Sequence, residues 1–144
     1  MATGVQIVFD CGDPEKLATF WAAALHYKLQ DPPAGFASWP DFLKAQGVPE
    51  SEWTSASAVV DPAGVGPRIF FQRVPEGKTV KNRVHLDLNI GGPRTDPPGD
   101  RRRRIDAEVG RLVQLGARQS RSVEELGGYF VNMFDPEGNE FDVH

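Results

Sequence analysis

Cysteine is almost absent from this sequence. Cys11 is the only cysteine among 144 residues, which excludes an intrachain disulfide and a thiolate metal cluster. Because no His or Lys stands beside it in sequence to activate the thiol, we interpret Cys11 as a small apolar residue near the end of a strand. Catalytic or metal chemistry must therefore come from other side chains.

Long apolar runs and an excess of positive charge are missing as well. No stretch approaches the roughly 18 apolar residues of a membrane-spanning helix, and residues 1–4 show no basic and apolar leader before the first strand pattern. The formal net charge of −4 and the pI near 5.3 argue against a general nucleic-acid or anionic-membrane surface. We therefore expect a cytoplasmic protein that binds neither nucleic acid nor membrane.

The sequence does contain a repeated turn signal. Asp135-Pro-Glu-Gly-Asn139 lies between two alternating runs, and Asp61-Pro-Ala-Gly64 lies between two others. Proline presets φ near −65°, glycine tolerates a positive φ, and Asp and Asn bond to the nearby backbone. Each signal predicts a β-hairpin, and the repetition predicts a duplicated module.

The first half of the chain predicts a strand, a helix, a short strand and a hairpin. Residues 6–10 alternate in polarity, and the apolar stripe that follows Asp13 and Pro14 indicates a helix over 13–26. A short strand at 27–30 comes next. Residues 36–53 are rich in aromatics and predict a short helix near 39–46; these aromatics either cover a pocket or shield exposed core.

The second half repeats this order. Residues 83–90 alternate, so that Val84, Leu86, Leu88 and Ile90 share one face of a strand and His85, Asp87 and Asn89 share the other. Asp100 is the expected N-cap of a helix that Gly116 ends. Residues 118–126 then lead into the final hairpin. The predicted order is βαβββ twice, which is an α+β fold.

The order and spacing of these segments resemble the vicinal oxygen chelate superfamily, and within it the glyoxalase-like, bleomycin-resistance and dioxygenase domain proteins. The resemblance covers nearly the whole chain and is carried by residues 12–21, 70–78, 81–88 and 135–139. It implies a single glyoxalase-like domain made of module 1 (about 4–76) and module 2 (about 82–144). It also implies that the two sheets form a shared open barrel-like cleft, and it allows a homodimer.

The resemblance implies one cleft-facing position on the first and last strand of each module. These positions are Gln6, Gln72, His85 and Asp142, and strand alternation also puts them opposite the apolar stripes. Metal-dependent members offer His and Glu there. The candidate metal ligands are His85, Asp142, Gln72 and Gln6. Because carboxamide oxygens are weak ligands, a bound divalent metal is possible but not favoured. The cofactor stays unknown.

His85 and Asp142 are the predicted catalytic pair, since a nearby carboxylate can orient an imidazole for acid/base work. Glu140 and His144 share the strand face of Asp142 but lie further along. The predicted substrate-binding residues are Gln6, Gln72, Phe70, Asp87, Trp39 and Trp53.

Three classes of function remain open at the level of the sequence. The preferred one is a small-molecule-binding glyoxalase-like protein, with lyase or isomerase chemistry in which His85 is an acid/base group or a weak metal ligand. The second is a non-catalytic protein that sequesters a drug or metabolite in an aromatic pocket. The third is a metal-dependent dioxygenase or lyase. The fold alone does not choose among them.

Overall fold

The computed structural model describes residues 1–144, which divide into two compact units, residues 1–77 and 78–144. No helix in either unit is long and apolar enough to cross a membrane. The elements are β1 (Ile7–Cys11), α1 (Pro14–Leu25), β2 (Lys28–Leu29), α2 (Trp39–Ala45), a 3-10 turn (Glu50–Glu52), β3 (Ala56–Val60), β4 (Ile69–Arg73), β5 (Leu86–Leu88), α3 (Pro98–Leu115), β6 (Arg118–Glu125), β7 (Gly128–Phe134) and β8 (Glu140–Val143). The predicted βαβββ order, repeated twice, is confirmed.

Each unit contains one open, four-stranded mixed sheet. The strand order is β1-β4-β3-β2 in the first unit and β5-β8-β7-β6 in the second. In both sheets the first and last strands of the unit pair in parallel, whereas the remaining pairs are antiparallel. The two units therefore share one topology, and the predicted α+β fold with a duplicated module is confirmed.

The core of the first unit lies between α1 and the sheet. Asp13 caps this helix by accepting a hydrogen bond from the Lys16 N–H at 3.1 Å, and Pro14 occupies its first turn. Trp21 is fully buried, and the Phe9 ring lies 5.4 Å from the rings of both Trp21 and Phe71. These contacts fix the face of the sheet that meets the helix, so the opposite face is left for polar side chains.

The core of the second unit is built on Ile105, Val109 and Leu112 of α3, which are buried. The helix ends at Gly116 as predicted, with φ at 116°. The expected N-cap at Asp100 is wrong, because the helix already begins at Pro98, whose fixed φ suits the first turn. Asp100 lies inside that turn.

The strand predicted over residues 83–90 is also shorter in the structure. Only Leu86–Leu88 pair as β5, with their partners on β8. Val84, which the alternation placed on the core face, is 81% exposed because it precedes the paired segment. His85 likewise precedes the paired residues of the strand.

Candidate functional site

A pocket of about 420 Å³ lies within the first unit. Strands β3 and β4 form part of its lining, and α2 and the following 3-10 turn form another part. Its aromatic lining residues are Trp39, Trp53 and Phe70, and aliphatic Leu29 and Leu43 extend the apolar surface. Both the volume and this mixture of aromatic and aliphatic groups are typical of a small-molecule pocket.

The two indoles in this pocket are held by the backbone. Trp39 Nε1 donates to the carbonyl of Gln30 at 2.8 Å, and Trp53 Nε1 donates to the carbonyl of Val48 at 2.9 Å. Because each N–H already has an acceptor, the rings can present apolar faces to a ligand. Neither α2 nor the 3-10 turn has a buried residue. Of the two interpretations of this aromatic segment, the structure therefore favours pocket lining over core shielding.

Arg68 brings a positive charge to the same pocket. Its Nε donates to Gln30 Oε1 at 2.8 Å, and its NH1 donates to Gln6 Oε1 at 2.7 Å. The guanidinium carbon also lies 5.2 Å from the centroid of the Phe70 ring. Both hydrogen-bond acceptors are neutral amides, so they orient the guanidinium without cancelling its charge.

The two glutamines that were expected to face a cleft have other contacts in the first unit. Gln6 holds Arg68 through its side-chain oxygen, and Gln72 Nε2 donates to Asp10 Oδ1 at 2.8 Å. Neither glutamine is among the lining residues of the pocket. The expectation that Gln6 and Gln72 bind the substrate, or converge with His85 and Asp142, stays a prediction.

In the second unit, neighbouring strands bring two histidines and two aspartates together. Asp87 on β5 and Asp142 on β8 are direct partners in the parallel register. His85 lies two residues before Asp87 and His144 lies two residues after Asp142, so all four side chains project from one face of the sheet. We call these four residues the His/Asp cluster.

The distances within the His/Asp cluster are short but unequal. His85 Nε2 lies 3.3 Å from Asp87 Oδ1 and 3.4 Å from Asp142 Oδ2. His144 Nε2 lies 3.5 Å from Asp87 Oδ2 and 3.9 Å from Asp142 Oδ2. One ligand atom from each of His85, Asp87 and Asp142 can be chosen so that all three lie within 4.8 Å of one another.

Asp142 is the buried member of the His/Asp cluster, and hydrogen bonds fix its orientation. Asn132 Nδ2 donates to Asp142 Oδ1 at 2.6 Å, and Arg121 Nε donates to Asn132 Oδ1 at 3.0 Å. The arginine thus sets which end of the Asn132 amide faces the aspartate. Asp142 Oδ2 is left directed toward the two imidazoles.

His144 is anchored through both its backbone and its ring. Its N–H donates to the carbonyl of Leu88 at 2.9 Å, and its carbonyl accepts from the N–H groups of Ile90 and Gly91. The imidazole stacks on Phe130 with ring centroids 4.7 Å apart and an interplanar angle of 10°. These contacts extend the β8 register by one residue and place the ring beside Asp87 and Asp142.

Glu140 shares the strand face but has separate partners. Its carboxylate accepts a hydrogen bond from the N–H of Asn82 at 2.9 Å and pairs with Lys78 at 3.1 Å. Partial burial would raise the pKa of Glu140, but the hydrogen bonds from Asn82 and Lys78 outweigh it and hold the pKa below its usual range. Glu140 therefore ties residues 78–82 to β8 and is occupied outside the His/Asp cluster.

The donor atoms of the His/Asp cluster fit a divalent cation. Imidazole nitrogen and carboxylate oxygen are good ligands for such ions, whereas neutral carboxamides are weak ones. Sequence reasoning selected His85 and Asp142 but paired them with Gln6 and Gln72. The alternation had also put Asp87 and His144 on the same strand faces. Asp87 was accordingly predicted to bind the substrate, whereas His144 was expected to lie further along the strand.

The predicted substrate-binding residues are divided between the two units. Trp39, Trp53 and Phe70 line the pocket of the first unit, and Asp87 belongs to the His/Asp cluster of the second. Arg68 was missed as a pocket residue. Strand alternation indicates which face a residue lies on, but it does not show how far a long side chain such as that of Arg68 reaches.

Comparison with known proteins agrees with this architecture. The sequence profile of the Glyoxalase-like domain family matches residues 6–144. No curated protein matches the chain. The chain is similar to a mutant of the fosfomycin resistance protein FosX from Listeria monocytogenes, solved with Mn(II) and dihydroxypropylphosphonic acid, with 13% identity, a TM-score of 0.62, and coverage of 100% of this chain and 90% of that one.

Two further solved structures have a similar fold. One is a glyoxalase/bleomycin resistance protein/dioxygenase family enzyme from Burkholderia phytofirmans, with 14% identity, a TM-score of 0.59, and coverage of 96% of this chain and 94% of that one. The other is a possible glyoxalase from Bacillus cereus, with 10% identity, a TM-score of 0.60, and coverage of 99% of this chain and 98% of that one. Identities this low support the fold alone. The match to the family profile over residues 6–144 shows that the chain belongs to the glyoxalase-like domain family of the vicinal oxygen chelate superfamily.

Proposed function

We propose that this protein binds a small organic molecule in the pocket of its first unit. The observation that carries the proposal is a cavity of about 420 Å³ lined by Trp39, Trp53 and Phe70. Large aromatic side chains supply much of the binding energy at sites of this kind, because they bury a large area with few rotatable bonds. The ligand is expected to have an aromatic or alicyclic body.

The charge of Arg68 adds a polar requirement to the ligand. Its guanidinium is held by Gln6 and Gln30 beside the Phe70 ring, and both of these hydrogen-bond partners are uncharged. Arginine recognises carboxylate and phosphate groups through paired N–H donors. Glu15 and Glu52 also line the pocket and would repel an anion, so the proposed ligand class is an apolar molecule that carries one anionic group at the end that meets Arg68.

A ligand screen by thermal shift, followed by calorimetry on the hits, tests this proposal. Trp53→Ala and Trp39→Ala are each expected to weaken binding by about tenfold or more, because each removes an aromatic wall. Phe36→Ala is the matched control: Phe36 contacts Phe42 in the same segment but does not line the pocket. Binding that Trp53→Ala and Trp39→Ala leave intact would contradict the proposal.

A lyase or isomerase is the second candidate function, and the surroundings of His85 favour it. Its Nε2 lies 3.3 and 3.4 Å from two carboxylates, which is suitable for orienting an acid/base imidazole or for sharing a cation. In the acid/base use, the Nε2–H of His85 faces the carboxylates and Nδ1 exchanges a proton with the substrate, whereas in the metal-binding use Nε2 donates its lone pair to the cation. Titration of the protein with Zn²⁺ separates these two uses.

The homodimer and the cytoplasmic location stay predictions. The elution volume of the purified protein tests the homodimer, and cell fractionation tests the location.

A further inference from the structure

We infer that the ligand of the pocket in the first unit is a dipolar molecule, which carries a cationic group at the end opposite to its anionic group. The inference rests on the proposed function, because it concerns the same pocket. The observation that carries it is the distribution of charged residues in the lining, with Arg68 at one end and Glu15 and Glu52 at the other. An aromatic or alicyclic carboxylate with an ammonium group at its far end is the simplest ligand of this class.

The strand register shows how far apart the two ends of the pocket are. Arg68 immediately precedes β4 and Arg73 is the last residue of that strand. At about 3.3 Å per residue, the strand separates these two positions by roughly 17 Å. The lining residues 54–58 run beside β4 in the opposite direction, so the pocket extends along most of this length.

Both glutamates lie at the Arg73 end of the strand. The N–H of Arg73 donates to the carbonyl of Ser55 at 2.8 Å, and the N–H of Ser55 donates to the carbonyl of Glu52 at 3.1 Å. Cys11, the last residue of β1, pairs with Arg73 in the parallel register, and Glu15 follows shortly after it in the first turn of α1. The two carboxylates therefore line the end of the pocket that is remote from the guanidinium that binds the anion.

Neither glutamate has a cationic partner in the protein. No Lys, Arg or His nitrogen forms an ion pair with Glu15 or Glu52. The guanidinium of Arg73 at this end donates instead to the carbonyl and the hydroxyl of Thr54, both at 2.8 Å. A ligand that fills the pocket removes water from the carboxylates, which costs free energy unless a cation replaces the water. A dipolar ligand offsets this cost, whereas a purely anionic ligand does not.

The aromatic lining supports a cation at the same end. Trp53 follows Glu52 directly in the sequence and lines the pocket with it, and its ring N–H is already bound to the carbonyl of Val48. The face of an indole attracts an ammonium group more strongly than the faces of other aromatic side chains do. A carboxylate next to an indole is therefore suited to an ammonium group, as the guanidinium at the other end is suited to a carboxylate.

Three compounds of similar shape test the inference by calorimetry on the unmodified protein. They are 4-(aminomethyl)phenylacetate, which is dipolar, 4-ethylphenylacetate, which is only anionic, and 4-(aminomethyl)phenylacetamide, which is only cationic. Because the ethyl and aminomethyl groups have nearly the same size, the first two compounds differ mainly in charge. We expect the dipolar compound to bind most tightly of the three.

Substitution of the glutamates tests their contact with the cationic group. Glu52→Gln and Glu15→Gln are each expected to weaken binding of the dipolar compound about fivefold, and neither should weaken binding of 4-ethylphenylacetate. Glu50→Gln is the matched control, because Glu50 belongs to the same 3-10 turn as Glu52 and is exposed but does not line the pocket. It removes the same charge and should leave all three affinities unchanged.

Three results would overturn the inference. The first is binding of 4-ethylphenylacetate that is at least as tight as binding of the dipolar compound. The second is a loss of the dipolar compound in Glu50→Gln as large as the loss in Glu52→Gln, or no loss in either variant. In these two cases, weaker binding of 4-ethylphenylacetate by Trp53→Ala would show that the proposed function still holds, with a purely anionic ligand. The third is no binding of any of the three compounds, after which the ligand screen decides separately whether the pocket binds another class of molecule.

Discussion

At the scale of single residues, the pocket and the His/Asp cluster both depend on side chains whose orientation is fixed by neutral amides. Gln6 and Gln30 orient Arg68, and Asn132 orients Asp142. An amide can hold a charged group in place while leaving its charge available to a ligand. The charge of Arg68 is therefore expected to determine which ligands bind rather than to stabilise the fold.

Substitution of Arg68 tests this role. Arg68→Met keeps a long apolar side chain but removes the charge, so we expect affinity for an aryl carboxylate to fall about tenfold, or about 1.4 kcal/mol. Affinity for the corresponding neutral amide should change little. Arg68→Lys is expected to recover only part of the loss, because an ammonium lacks the planar fork of donors.

Calorimetry with naphthylacetate and naphthylacetamide provides the measurement. The ratio of the two dissociation constants isolates the effect of charge from the effect of pocket shape. If Arg68→Met weakens both compounds equally, the arginine supports the wall of the pocket and does not select an anion.

At the scale of secondary structure elements, the two modules use the same turn with different degrees of burial. In the first hairpin, the Asp61 carboxylate accepts hydrogen bonds from the N–H groups of Gly66, Ala63 and Val65, and these bonds hold the pKa of Asp61 below its usual range. In the second hairpin, Asp135 accepts from the N–H groups of Glu137 and Asn139 and from the Asn139 side chain. Asp135 is only 3% exposed.

Burial decides which of these aspartates matters more for stability. Asp135→Ala leaves buried donors without an acceptor and is expected to lower the free energy of unfolding by roughly 3 kcal/mol. Asp61→Ala should cost clearly less, because water can replace the lost carboxylate. Urea denaturation of both variants and the unmodified protein gives the comparison. Equal losses would show that the turn geometry matters, rather than the burial of its donors.

The elements also show how much the sequence could predict. The turn residues, the helix stripes and the period-two strands are local signals, so they predicted the βαβββ repeat correctly. The ends of β5 depend on tertiary pairing and the start of α3 depends on Pro98, and these boundaries were misplaced. The pairing of Asp87 with Asp142 depends on the parallel register of β5 and β8, which is a long-range property that no local pattern contains.

The side chains of the candidate site were predictable to different degrees. Strand alternation placed His85 and Asp142 on a polar face, and the structure brings them to 3.4 Å. It also placed His144 on that face, but the stacking on Phe130 that fixes its ring was not visible in the sequence. Trp39 and Trp53 were selected as aromatics in an irregular segment, since such segments often line sites. The reach of Arg68 to this segment depends on its rotamer and on two glutamine partners.

At the scale of the whole molecule, the family resemblance predicts that Gln6 and Gln72 share a cleft with His85 and Asp142. Substitution of Gln72 by histidine tests this placement. If the four positions converge, Gln72→His adds a strong ligand to those of the His/Asp cluster, and the affinity for Zn²⁺ should rise about tenfold or more. The hydrogen bond from Gln72 to Asp10 is exposed, so its loss should cost little stability.

Arg73→His is the matched control for this test. Arg73 is the next residue on β4, is also exposed, and projects to the opposite face of the strand. Its substitution adds the same imidazole to the same element, so a general increase in metal affinity from an extra histidine would appear in both variants. An increase confined to Gln72→His supports a shared cleft. Equal affinities in the two variants would contradict the prediction that Gln72 shares a cleft with His85.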